Sequence, residues 1–120
     1  MKQIVIADTS KENLLKARLI LENGCIIFPA RTKNWMMKVL KQKNIDLIIL
    51  NVNIVGNNDT LQLLEKIRRS ERYKSVPFII AATDSEKDII TVRKCIEKGN
   101  VQAVSTPYDK DELTHFVYEM

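Results

Sequence analysis

Apolar runs alternate with amphipathic segments five times along this chain. The runs are rich in Ile, Val and Leu and predict strands, whereas the segments between them repeat apolar residues every three or four positions, which is typical of helices. The strands are predicted at residues 4–7, 25–28, 45–50, within 76–82 and at 101–105. Because strands joined by helices in this way run parallel, the pattern predicts an α/β fold, a doubly wound five-stranded parallel sheet with helices on both faces.

Local signals mark the ends of the helices. Thr9 and Asp59 each precede a Glu or Gln by three residues, which is the pattern of a capping box at a helix start. Asp109 is predicted to cap the last helix in a similar way. Gly24 is predicted to end the first helix in a positive φ conformation, and residues 70–75 are predicted to form a polar loop.

The composition fits one domain spanning residues 1–120, since 45% of the residues are hydrophobic and 28% are charged. No apolar stretch is long enough to cross a membrane and no signal peptide precedes the first strand, so we expect a soluble, cytoplasmic protein without membrane contact. The net charge is +4, and basic and acidic residues look interleaved on every helix, which predicts no nucleic-acid surface. Cys25 and Cys95 are expected to be free, buried thiols, and the single histidine, His115, gives no metal-ligand spacing.

The order and separation of these elements resemble the receiver domain of response regulators over essentially the whole chain. The sequence DLIIL at 46–50 resembles the strand that leads to the phosphoacceptor, VPFII at 76–80 the fourth strand, and PYD at 107–109 the start of the last helix. Gly56 lies in a loop where the family usually has a Pro-Gly pair. The resemblance implies a flavodoxin-like (βα)5 receiver fold and a role in two-component, phosphorelay signal transduction.

The positions that carry the family's chemistry are altered. The resemblance places the phosphoacceptor position at Asn51, and a neutral amide cannot carry a phosphoryl group as an acyl phosphate. Of the two acids expected after strand one, only Asp8 remains, and it is the one residual metal candidate. The other altered positions are Ala7 for the first acid, Asn53 at a metal-ligating carbonyl, Ala82 for the sensor hydroxyl, Thr106 for the phosphate-binding lysine and Ala103 for the switch aromatic. Losing charges of both signs together avoids leaving an unpaired ion in a partly dry site.

Two interpretations remain open for each polar residue at this edge. Asp8 is either a surviving contact for a metal or ligand, or an acid that stabilises the start of the first helix. Asn51 is either a hydrogen-bond hub that joins Asp8 to Thr106, or a strand-end residue that binds loop amides. The segment 57–59 resembles a cation-binding loop, but a turn followed by a helix cap is the favoured interpretation.

The altered pocket leads us to expect a pseudo-receiver that acts by phosphorylation-independent protein–protein contact, with no catalytic residue, metal or cofactor. Its partners are expected to be other signalling proteins, a fused output domain or a second copy in a weak homodimer. The resemblance implies a contact face built from the fourth helix, the fifth strand and the fifth helix. The candidates on that face are Lys94, Lys98, Tyr108, His115 and Tyr118.

Two other functions are possible for a chain with this pattern. The alternative is a regulatory module that binds a small ligand or nucleotide at the same sheet edge, although residues 7–12 contain no glycine for a phosphate loop. A small flavodoxin-like enzyme is disfavoured, because no nucleophile–base pair is present. A further contact patch is considered around Trp35, Met36 and Met37, at least one of which is expected in the core.

Overall fold

The computed structural model describes residues 1–120 and contains one parallel sheet of five strands in the order β2-β1-β3-β4-β5. The strands are β1 (Lys2–Ala7), β2 (Cys25–Ala30), β3 (Leu47–Asn51), β4 (Phe78–Ala82) and β5 (Val101–Ser105). The helices are α1 (Lys11–Leu21), α2 (Lys33–Gln42), α3 (Thr60–Arg68), α4 (Glu86–Ile96) and α5 (Lys110–Glu119), with a short 3₁₀ helix at Glu71–Tyr73. The predicted doubly wound (βα)5 fold is confirmed.

The sheet separates two apolar clusters. One contains buried side chains of α1 and α5, and the other contains those of α2, α3 and α4. β3 is the central strand, and all of its residues are buried, as its continuous apolar run predicts. Both cysteines are free and buried, as expected. None of the helices combines the length and the apolar character that crossing a bilayer requires.

The helix caps differ in part from the prediction. Ser10, and not Thr9, caps α1: its Oγ accepts a hydrogen bond from the backbone N–H of Asn13 at 3.2 Å. Asp59 is at the cap position of α3 but makes no side-chain cap hydrogen bond. The cap at Asp109 is confirmed, because its carboxylate accepts from the N–H of Glu112 at 2.9 Å.

Gly24 has a different role from the one predicted. Positive φ occurs at Gly56, Gly99 and Asn100 but not at Gly24. A side chain at Gly24 would instead collide with the hydroxyl of Tyr118 on α5. The glycine therefore allows the Tyr118 hydroxyl to approach the backbone closely, and its conformation is ordinary.

The predicted polar loop at 70–75 is more structured than expected. Tyr73, in the 3₁₀ helix, is buried, and its hydroxyl donates to the carbonyl oxygen of Leu40 at 2.6 Å. This bond ties the segment after α3 to the last turn of α2. An aromatic ring within a polar stretch was the signal for a buried anchor.

Candidate functional site

The carboxyl ends of the strands bring the chemically altered residues to one edge of the sheet. Asp8 follows β1, Asn51 ends β3, and Thr106 follows β5. The register pairs Ala7 with Leu50, so the residues that follow them lie side by side. This is the edge at which open α/β sheets place their sites.

Asp8 is fully buried, and its carboxylate is surrounded by neutral donors. Oδ2 accepts hydrogen bonds from the side-chain amides of Asn51 at 2.9 Å and Asn13 at 3.0 Å. Oδ1 accepts from the side-chain amide of Asn53 at 3.0 Å and from the backbone N–H of Ser10 at 2.9 Å. An ionised carboxylate only accepts hydrogen bonds, so all three asparagines turn their NH₂ groups towards it. Four N–H donors thus offset the cost of burying the charge, with no cation in the arrangement.

Tyr108 also contacts the carboxylate of Asp8. Its hydroxyl lies 3.5 Å from Asp8 Oδ2, and its side chain is 1% exposed. Burial, the charge of Asp8 and the hydrogen bond to it all raise the pKa of the Tyr108 hydroxyl well above its usual value. The expectation that Tyr108 belongs to an exposed contact face is wrong, because its ring lies in the same buried cluster as Leu14 and Leu113.

Asn51 fulfils both interpretations in part. Its amide nitrogen binds Asp8, and its Oδ1 accepts from the loop N–H of Asn53 at 2.9 Å. The expected link to Thr106 is absent: the backbone N–H of Thr106 binds the carbonyl of Ala82 at 3.0 Å, and its hydroxyl makes no hydrogen bond. Asn51 is therefore a hub for Asp8 and the following loop only.

Two asparagines have roles that the sequence analysis missed. Asn53 was considered for its backbone carbonyl, but its side chain bridges Asp8 and the backbone N–H of Thr9, which donates to Asn53 Oδ1 at 3.1 Å. Asn13 does not stand out in the sequence. The only sequence signal for it is an amide in the first turn of α1, five residues after a buried acid. The remaining altered positions contribute small side chains, with Ala7 and Ala82 buried and Ala103 half-buried.

A second polar cluster joins the loop before α3 to α4. Asp88, which is 7% exposed, accepts from the backbone N–H and the hydroxyl of Thr83, both at 2.8 Å, and from the side-chain amide of Asn57 at 2.9 Å. The hydroxyl of Thr91 donates to Asn57 Oδ1 at 2.6 Å. Burial acts to raise the pKa of Asp88, but hydrogen bonds from Thr83, Asn57 and Ser85 together outweigh it and lower that pKa. The side chain of Asn57 thus serves as a structural link between the two segments.

The basic residues proposed for the contact face lie on a different side of α4. Lys98 Nζ is 3.6 Å from the carboxylate of Glu65 on α3. Lys94 lines a cavity of about 400 Å³ with Asn57 and Asn58. Lys98 therefore faces α3 and Lys94 faces the loop before it, so their assignment to the surface shared with α5 is wrong. The helical period explains the error, because it fixes which residues share a face but not which neighbour that face meets.

The two candidates on α5 are exposed, but one of them lies near the opposite edge of the sheet. His115 is exposed and stacks at a tilt on Phe116, with ring centroids 5.5 Å apart. Tyr118 is 51% exposed, and its hydroxyl lies 3.7 Å from Cys25 Sγ on β2, whereas β5 is the edge strand on the other side. The surface between α4, β5 and α5 is instead a cavity of about 370 Å³. Its lining includes Ile89, Val92, Arg93, Ala103 and Glu112.

With this geometry in place, comparison with known proteins identifies the family. Residues 4–118 match the response regulator receiver domain, so the chain belongs to the receiver family of response regulators. It is a receiver domain of two-component signalling.

Solved structures show the same fold. A response regulator from Thermotoga maritima is 22% identical, with a TM-score of 0.83 over 99% of this chain and 96% of that one. The N-terminal signal receiver domain of a two-component response regulator from Bacteroides fragilis is 24% identical, with a TM-score of 0.84 over 99% and 95%. NtrX from Brucella abortus is 18% identical with a TM-score of 0.84, and the match covers 99% of this chain but 26% of that longer protein.

Proposed function

We propose that this receiver domain acts by protein–protein contact without accepting a phosphoryl group. The observation that carries the proposal is the hydrogen bond between Asn51 and Asp8, at the position where the family resemblance places the phosphoacceptor. An acyl phosphate forms on an ionised carboxylate, and the side chain of Asn51 has none. The proposed function is that of a signalling module without catalytic activity.

The donor set at this edge argues against Mg²⁺. That ion takes hard oxygen ligands in a near-octahedral arrangement. Asp8 is the only carboxylate among the altered pocket positions, and both of its oxygens already accept N–H groups. An ion at this place would have to displace those donors and turn three amides around. We therefore propose no metal-dependent step.

The proposed contact face lies between α4, β5 and α5. Ile89 and Ile96 are 40% and 44% exposed, and their spacing of seven residues places them on one side of α4. The basic Arg93 and the acidic Asp84 and Glu112 line the same cavity as Ala103. Exposed apolar side chains bordered by charges are typical of a protein interface. Another signalling protein, an output domain or a second copy of this chain is the proposed occupant.

Treatment with Mg²⁺ and a small phosphodonor such as acetyl phosphate tests the proposal. We expect an unchanged intact mass and an unchanged ¹⁵N–¹H spectrum, while a receiver domain with an intact phosphoacceptor becomes modified in the same mixture. A stoichiometric, acid-labile phosphate adduct on this chain would overturn the proposal.

The alternative, a small-ligand module at the sheet edge, receives less support. Asp8 is buried beneath its own amide partners, so its carboxylate offers no free surface to a ligand. Thermal-shift measurements with nucleotides discriminate the two functions, because a ligand of the native state raises the melting temperature. A reproducible rise with one nucleotide would favour the alternative.

A further inference from the structure

The basic residues of this chain are concentrated on one side. Residues 31–43 contain five basic residues and no acidic one, and residues 60–74 contain five basic and two acidic residues. The rest of the chain has nine basic and thirteen acidic residues. The excess positive charge therefore lies on α2, α3 and the 3₁₀ helix, and the expectation of evenly mixed charges is wrong for this side.

A groove runs between α2 and α3 on the basic side. It encloses about 340 Å³ at one end and, where Lys33 and Gln62 line it, about 300 Å³ towards the start of both helices. Its apolar lining at the first end is provided by Met37, Leu40, Ile67 and Tyr73. The groove thus has an apolar floor at the end near Met37 and a mostly polar lining at the other end.

The cations on the rim form no salt bridges, and one acid, Asp59, lines the end of the groove near Lys33. Lys41 and Lys66 are exposed, and the molecule's two salt bridges, Lys74–Glu71 and Lys98–Glu65, involve neither of them. Arg72 closes one end, where its guanidinium donates to the carbonyl oxygen of Lys41 at 3.1 Å. Uncompensated cations beside an apolar floor favour an occupant that is both anionic and apolar.

We propose that the α2–α3 groove binds an acidic amphipathic helix of a partner protein. Apolar side chains spaced at i, i+3 or i+4, and i+7 would pack on the half-buried Met37 and its surroundings, and carboxylates beside them would meet Lys41 and Lys66. α2 has ten residues and is about 15 Å long, which matches about three turns of a partner helix. Met37 suits this role because its unbranched side chain adapts to different partners.

A peptide fits this groove better than a nucleic acid. Base recognition on a single strand relies on exposed aromatic rings, and the one aromatic in the lining, Tyr73, is 6% exposed. The assigned surface is distinct from the face between α4, β5 and α5. Peptide binding to the groove does not depend on phosphorylation. A phosphate adduct would therefore overturn the function proposed above but would not affect the proposed peptide site.

Titration of the ¹⁵N-labelled full chain with a designed acidic peptide tests the assignment. The probe is a helical peptide of about 14 residues, with leucines at i, i+3, i+4 and i+7 and glutamates elsewhere. A scrambled peptide of the same composition is the control for charge alone. We expect chemical-shift changes confined to residues 33–43 and 60–73, and at least about tenfold weaker binding of the scrambled peptide.

Matched charge reversals locate the site. The double variant Lys41→Glu/Lys66→Glu is expected to weaken binding at least about tenfold, whereas Lys87→Glu/Lys94→Glu on α4 should change the affinity less than about twofold. If the melting temperature of the charge-reversal variant shows that it is unfolded, Lys41→Gln/Lys66→Gln is used in its place. The assignment would be overturned if millimolar peptide caused no chemical-shift changes, or caused them outside these residues. It would also be overturned if both double variants lost affinity equally or if the scrambled peptide bound equally well. Tighter binding of a single-stranded oligonucleotide than of the peptide would overturn it too.

Discussion

The side-chain amide of Asn51 donates a 2.9 Å hydrogen bond to the buried carboxylate of Asp8, joining the ends of β3 and β1 directly. Two carboxylates at these strand ends would repel each other and require a cation between them. An amide and a carboxylate instead attract each other. The pocket is thereby stable as a neutral-donor cluster around one negative charge, and this relationship makes its response to substitution predictable.

Asn51→Asp should destabilise the fold. It places a second buried carboxylate within hydrogen-bond distance of Asp8, so we expect a loss of about 2–4 kcal/mol at neutral pH without divalent cations. The pKa of one of the two carboxyls is raised in the folded state. The contribution of that carboxyl to the free energy of unfolding is therefore fully present below the unfolded pKa of about 4. It is lost as the pH rises through the folded pKa.

Urea unfolding of this variant at several pH values from about 4 to 7 measures the effect. Asn51→Ala is the control, because it removes the hydrogen bond without adding a charge and should show no such pH dependence. Equal stability of the two variants at neutral pH would contradict the prediction. We also expect no strong phosphorylation of Asn51→Asp, since Ala7 and Thr106 still lack the charges that the family chemistry uses.

Tyr108 should behave as a core residue. Tyr108→Ala removes a fully buried ring and is expected to cost about 3–5 kcal/mol. Tyr108→Phe keeps the ring and loses only a hydroxyl at the 3.5 Å limit of hydrogen bonding, so it should cost about 1 kcal/mol or less. Chemical denaturation gives both values, with the exposed His115→Ala as a control expected within about 0.5 kcal/mol of the wild type. A Tyr108→Ala protein as stable as that control would return Tyr108 to the surface.

The strand ends were predictable from sequence, and several side-chain partners were not. Apolar runs locate β1 and β3 because a buried strand needs continuous apolar residues, and parallel strands deliver their carboxyl ends to one edge. That reasoning places Asp8 beside Asn51. It cannot tell Ser10 from Thr9 as a cap, since both hydroxyls suit the position.

The roles of residues that depend on tertiary neighbours could not be predicted from the sequence. Tyr108 is amphipathic, so a position beside a proline is compatible with either the core or the surface. Asn13 has no distinguishing pattern until the fold brings its amide to Asp8. The basic groove likewise requires α2 and α3 to be adjacent, although the absence of acids from residues 31–43 was already visible.

Asp88→Asn should loosen the start of α4. The variant keeps the shape of the side chain but loses charge-assisted bonds from Thr83 and Asn57, at an expected cost of about 1–3 kcal/mol. Because the folded pKa of Asp88 is lowered, its contribution is present above the unfolded carboxyl pKa and is lost as the pH falls through the folded value. The difference from the wild type should therefore be largest near neutral pH and shrink in acid.

Hydrogen exchange of the amides in residues 83–91, together with unfolding curves, checks this prediction. The amides should exchange faster in Asp88→Asn. Asp84→Asn is the matched control, since Asp84 lies in the same loop but is exposed and accepts no side-chain hydrogen bond. If both variants exchange alike, Asp88 does not anchor the helix.

Cys95 should make the protein sensitive to alkaline pH. Its thiol is fully buried on α4, and burial raises its pKa from 9.0 to about 11, with the charge of Arg68 opposing the shift and that of Glu65 adding to it. A raised folded pKa means that the stabilising contribution is complete below the unfolded pKa and is lost as the pH rises towards about 11. The loss amounts to at most about 2–3 kcal/mol.

Cys95→Ala should be less stable than the wild type at neutral pH because it leaves a small cavity. The difference in unfolding free energy between the two proteins should narrow between about pH 9 and 11, since alanine has no thiol to ionise. Urea unfolding of both proteins across this pH range measures the difference in their unfolding free energies. Because the tyrosines are present in both proteins, their ionisation cancels in this difference. A deficit that stays constant with pH would show that the Cys95 thiol ionises equally in the folded and unfolded chains.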